Sequence, residues 1–184
     1  MRVERRPPDL PALFRVLAEH QVAYVVTGST AALLHGVALR PGDLDIVPAL
    51  DVTNLTRLAA ALAAIDARPD PAGPFGAWHT GPDGERHWIE REPRPGEREA
   101  RLTWRPDPAA PASFDEQLET SVGALDVVPE VSGRYEELVR RAEWVGAFDR
   151  DILVASIADQ LATLTVARRE KDRPRVHALR ERQR

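Results

Sequence analysis

A chain of 184 residues, 43% hydrophobic and 29% charged, has the apolar content of one globular domain and is short for two. No apolar run approaches a membrane span, and the opening residues 1–8 lack the apolar stretch of a secretion signal, so a cytoplasmic protein with no membrane partner is expected. The absence of cysteine excludes disulfides, thiolate zinc sites and a cysteine nucleophile, and a net charge of -4 argues against coating nucleic acid by bulk charge.

Asp9 precedes Leu10, Leu13, Phe14 and Leu17 at helical spacing, which predicts a capped amphipathic helix over residues 8–20. Residues 23–27 read as a short strand, broken by Gly28-Ser29, and residues 30–35 as a short helix closed by Gly36, with His35 covering its end. After the turn at Arg40-Pro41-Gly42, residues 43–47 alternate as a strand, with Leu44 and Ile46 on one face and Asp43 and Asp45 on the other. Leu55, Leu58, Leu62 and Ile65 form the strongest helical stripe, capped near Asp51 or Thr53.

Between residues 67 and 113 the composition shifts to proline, glycine and charge. Turns at Gly81-Pro82-Asp83-Gly84 and Pro93-Arg94-Pro95-Gly96 suggest hairpin strands over residues 86–90 and 100–104. His79 and His87 lie near Trp78 and Trp88; a packed aromatic cluster on the hairpin is expected in preference to a metal or base-stacking site. Further on come a strand at 124–128, a helix at 133–144 and a strand at 152–154. Ser156 and Asp159 have the spacing of a capping-box variant ahead of Ile157, Leu161 and Leu164, and Pro174 marks a bend before a basic final helix. The expectation is a single α+β domain over residues 1–184: a mixed β-sheet flanked by helices in residues 1–130, and a mainly helical part in residues 131–184.

Three features carry chemistry. Gly28-Ser29 between strand and helix leaves backbone N–H groups free for a phosphate, although the same pattern serves as ordinary capping. Asp43 and Asp45, two apart on a strand, can clamp hard cations such as Mg²⁺ or Mn²⁺, although such pairs also occur on solvated strands. Asp126 interrupts an apolar strand, where a lone carboxylate is costly unless a cation compensates it or the strand is an edge facing water. If its strand lies beside Asp43-Leu44-Asp45, a three-carboxylate site forms that suits metal-assisted phosphoryl chemistry, with Asp126 able to hold metal or accept a hydroxyl proton. The run from Arg168 to Arg184, including Arg169 and Lys171, is a solvated face or a grip on RNA or triphosphate.

Residues 24–36, Gly42-Asp43-Leu44-Asp45-Ile46-Val47, residues 120–128 and Arg169 with Lys171-Asp172-Arg173 together resemble the minimal nucleotidyltransferases of the DNA polymerase beta superfamily, and among them the AbiEii-like toxins of type IV toxin–antitoxin pairs. The resemblance implies a nucleotidyltransferase fold with catalytic and metal-binding Asp43, Asp45 and Asp126, and nucleotide-binding Gly28, Ser29, Arg40, Arg169 and Lys171. It also implies a nucleoside triphosphate with Mg²⁺ or Mn²⁺, a hydroxyl acceptor such as the 3′ end of tRNA, and a cognate antitoxin. The sequence departs from that pattern at Pro41-Gly42, where relatives carry Thr or Ser, and at Leu164, where they carry lysine. The second departure leaves open a non-catalytic nucleotide- or partner-binding member of the same fold.

Overall fold

The computed structural model describes residues 5–70, 75–80, 86–130, 133–166 and 172–183. The first half runs α1 (Leu10–Glu19), β1 (Tyr24–Thr27), α2 (Gly28–Leu34), β2 (Leu44–Pro48), α3 (Val52–Ala64) and β3 (Arg68–Pro69). A hairpin of β4 (Phe75–Thr80) and β5 (Arg86–Arg91) follows, then α4 (Glu97–Leu102), β6 (Glu116–Thr120) and β7 (Gly123–Val127). The chain continues with α5 (Tyr135–Leu138), β8 (Glu143–Ala147), β9 (Arg150–Val154), α6 (Ile157–Val166) and α7 (Arg173–Arg182).

Seven strands form one mixed sheet in the order β3-β6-β7-β2-β1-β9-β8, while β4 and β5 pair only with each other. Within the large sheet β2–β7 and β1–β9 are parallel and the remaining neighbours antiparallel. The alternation of side chains across each strand assigns the two faces. Val26, Leu44, Ile46, Leu125 and Val154 meet Leu13, Phe14 and Leu17 of α1 and Leu55, Leu58 and Leu62 of α3, whereas Val25, Val47 and Leu153 meet Leu138 of α5. A third cluster joins Ala32, Val37, Leu164 and Leu179, packing α2 against α6 and α7.

The helix starts follow the sequence closely. Asp9 Oδ1 accepts from the Ala12 amide at 3.0 Å, and Asp51 Oδ1 accepts from that of Asn54 at 2.9 Å. Ser156 Oγ accepts from the Asp159 amide at 3.1 Å, the first half of a capping box, and donates to Asp159 Oδ2 at 2.7 Å, so the two side chains join through the hydroxyl. Buried Asn54 ties α3 to the sheet: its Oδ1 accepts from the Ala23 amide (2.7 Å), and its Nδ2 donates to Ala23 O (2.9 Å) and Ala49 O (2.8 Å).

Four expectations are corrected. The strand expected over residues 100–104 is instead the end of helix α4 and the turn after it; the first turn of α4 is fixed by Glu97, which accepts two bonds from Arg91 and one from the Arg94 amide. The partner of β5 is β4, with Trp78 opposite Trp88 and His79 opposite His87 in backbone register. The helix expected over residues 133–144 is the single turn α5, after which β8 turns back onto β9, so this part of the chain adds two strands to the sheet beside helices α6 and α7. Asp43 lies in a bend just before β2 instead of on the strand. Pro174 stands in the first turn of α7, where its missing N–H costs nothing. His35 does sit at the end of α2, with its Nε2 2.9 Å from Ala155 O; a carbonyl only accepts, so Nε2 carries the proton.

Candidate metal centre

Parallel pairing of β2 with β7 sets Leu44 opposite Leu125 and Asp45 opposite Asp126. Two carboxylates that are 81 positions apart in sequence numbering therefore project from neighbouring strands at the same level. Asp43, one residue before β2, completes the group: each of the three offers a carboxylate oxygen, and these lie within 4.8 Å of one another. Its backbone is held by α2, because the buried Thr30 hydroxyl donates to Asp43 O at 2.8 Å. Thr30 thus positions the site, a role the sequence reading did not assign.

Gly28 starts α2 at φ +67°, and the Asp45 carboxylate lies where a Cβ on it would stand, with Asp45 Cγ 2.7 Å from that point. Only glycine leaves room for this approach in that backbone conformation. Next to it, Ser29 Oγ is buried and has no hydrogen-bond partner among the described residues. Arg40 is exposed on the loop leading to β2. Arg169 and Lys171 lie outside the described residues.

Electrostatics follows from crowding three acids together. Asp45 is held well above the usual carboxylate range, first by burial and then by the charges of Asp43 and Asp126, with Arg175 and Arg5 pulling the other way. Asp126 is pushed up to about 6, chiefly by burial, against the bond and charge of Arg5. Such a set is not fully ionised without added positive charge, which is the condition that a hard cation with oxygen ligands satisfies.

Part of that charge comes from Arg5, which had no role in the sequence reading, and from Arg175 of the basic run. Arg5 donates from Nη2 to Asp126 Oδ1 (2.6 Å) and Leu118 O (2.9 Å), from Nε to Glu119 Oε1 (2.8 Å), and from Nη1 to Asp43 Oδ2 (3.4 Å). Burial opposes the Arg5 charge, and these acids outweigh it, so its proton affinity rises. On the other side, Arg175 of α7 pairs with buried Asp172 at 3.0 Å, and its Nε is buried without a hydrogen-bond partner among the described residues. Leu164, by contrast, packs into the apolar cluster with Ala32, Val37 and Leu179.

No protein-family model matches the chain, and no curated protein matches it. The site is made of three hard oxygen donors, a glycine that admits one of them against the main chain, a buried hydroxyl without a hydrogen-bond partner among the described residues, and two flanking guanidinium groups. None of the described helices is long and apolar enough to cross a membrane.

Proposed function

We propose that the chain is a metal-dependent nucleotidyltransferase, which moves a nucleoside monophosphate from a nucleoside triphosphate to a hydroxyl acceptor. The observation that carries this reading is the in-register Asp45–Asp126 pair with Asp43 beside it. These three residues would hold Mg²⁺ or Mn²⁺, which when bound neutralises the triphosphate and lowers the proton affinity of the attacking hydroxyl. Gly28 and Ser29 take the phosphates through backbone N–H groups, and Ser29 Oγ, which has no partner among the described residues, adds a donor. Arg175 takes the role of the cation that Leu164 does not supply, countering charge beside Asp45. A carboxylate oxygen of Asp126 accepts the proton as the acceptor oxygen bonds the α-phosphorus and pyrophosphate departs.

The acceptor class is read from charge. Arg40, Arg169, Lys171 and the other basic residues up to Arg184 suit an RNA such as tRNA, and a growth-arresting activity of that kind would call for a neighbouring antitoxin. A second reading, a nucleotide- or partner-binding module without turnover, is favoured by the hold of Arg5 on Asp126 and by the apolar setting of Leu164. Incubation with each α-labelled nucleoside triphosphate, Mg²⁺ and total RNA separates them. Label transfer to RNA that disappears in Asp45→Asn supports the enzyme; nucleotide binding without transfer to RNA, protein or small hydroxyl compounds supports the module.

A further inference from the structure

The segment ahead of α1 is seated on the sheet by few contacts. The Ala124 amide donates to Arg6 O at 3.0 Å, Arg6 Nη1 donates to Ser121 O at 2.9 Å, and the Asp9 amide donates to Val122 O at 2.8 Å. Gly123, at φ +102°, leaves the space over which Pro7 and Pro8 cross, with Pro8 Cα 2.7 Å from where a Cβ would stand. Arg6, Pro7 and Asp9 are exposed, whereas Leu10 onward is anchored in the core by α1. Within this strap, Arg5 bonds Asp126 and reaches Asp43, two of the three carboxylates of the candidate centre, and takes Glu119 and Leu118 O as well.

A divalent ion shared by Asp43 and Asp126 would lie against the guanidinium that already bridges them. Two cations cannot share a partly buried pocket without strong repulsion. Among the described residues, moving the strap breaks the four Arg5 bonds, the Ala124–Arg6 bond and one exposed Arg6 bond, and leaves the Asp9 anchor and the core intact.

We propose that the strap is an internal cation latch: Arg5 neutralises the carboxylates in the metal-free protein and is expelled when a divalent cation binds, so that metal loading and strap release are one event. The inference rests on the metal-site reading above. Binding then favours the unlatched fraction, and the apparent dissociation constant is raised by the inverse of that fraction. The released strap frees the Asp126 carboxylate for the reaction and exposes the backbone edge of β7 at Ala124.

Two measurements on the full chain test it. Mn²⁺ titration followed by electron paramagnetic resonance compares wild type, Arg5→Gln and Asp45→Asn; amide exchange at Ala124 is followed by NMR with and without saturating Mg²⁺. The latch requires Arg5→Gln to bind Mn²⁺ about tenfold or more tighter than wild type. It also requires Ala124 exchange in wild type to accelerate about tenfold with Mg²⁺. Binding in Arg5→Gln that is equal to or weaker than wild type, with Asp45→Asn unable to bind, overturns the latch and leaves the metal site standing. Unchanged Ala124 exchange under saturating Mg²⁺ overturns it too, independently of how the variant folds. No Mn²⁺ binding in any of the proteins overturns the metal reading and the latch together.

Discussion

Replacing Asp126 by asparagine is expected to stabilise the metal-free protein at neutral and alkaline pH while abolishing its affinity for divalent cations. Folding lifts the Asp126 proton affinity from the ordinary aspartate value of 3.8 to about 6, mainly through burial. The folded chain therefore holds more protons than the unfolded one between those values, and wild-type stability falls as pH rises through that window. At about 1.4 kcal/mol per tenfold change in affinity, the full cost above pH ~6 is about 3 kcal/mol. Asparagine carries no charge to desolvate and still offers Oδ1 to Arg5. Urea unfolding in EDTA should show Asp126→Asn more stable than wild type by up to about 3 kcal/mol near pH ~8, with the difference shrinking toward zero near pH ~4. With saturating Mg²⁺ near pH ~8 the order should narrow or reverse, because only wild type gains binding free energy. Equal stabilities in EDTA near pH ~8, or a difference that does not vary with pH, would refute the account of a charge strained by burial.

Two further substitutions probe how the site is positioned. Gly28→Ala forces a side chain into a left-handed conformation and into the Asp45 carboxylate; a loss of about 2 kcal/mol or more in urea unfolding and weaker Mn²⁺ binding are expected, and unchanged values of both would show the close approach to be dispensable. Asn54→Ala removes three hydrogen bonds and takes the side-chain partner from the half-buried Ala23 amide and the buried Ala49 carbonyl, while Ala23 O keeps the Ala49 amide, so thermal or urea unfolding should report a loss of about 3 kcal/mol, with Mn²⁺ affinity near wild type below the transition.

What could be read from the sequence was what local chemistry encodes. Asp9, Asp51 and Ser156 cap the helices expected of them, Gly28 adopts positive φ at the strand–helix junction, and Leu44 and Ile46 face the core. Asp126 could be singled out because a carboxylate among apolar neighbours is costly, but its alignment with Asp45 is a product of strand pairing that no local pattern states. The β8–β9 turn explains one failure. Phe148 and Asp149 take φ 53° and 58° in a tight hairpin that ordinarily advertises itself by Asn or Gly; here Phe148 stacks on Phe14 at 5.7 Å, so tertiary packing replaces the local signal, and the expected helix over residues 133–144 ran on into the start of β8. Glu116-Gln117-Leu118-Glu119-Thr120 escaped notice as a strand because only Leu118 among them is a core aliphatic. Arg5 had no signal of any kind: its partners are more than a hundred positions away, apart from Asp43.

The hairpin of β4 and β5 has its own two-stranded sheet, inserted in the long connection between the strands that bear Asp45 and Asp126. Because β2 and β7 are locked by their own ladder, the length and content of that connection are decoupled from the level at which the two carboxylates meet. A one-residue slip of β7 would put Leu125 or Val127 opposite Asp45 and dismantle the centre at a stroke, whereas trimming or exchanging the hairpin leaves it untouched. The architecture thus separates a part that tolerates no drift, the β2–β7 ladder, from a part that stands outside the large sheet, the β4–β5 pair.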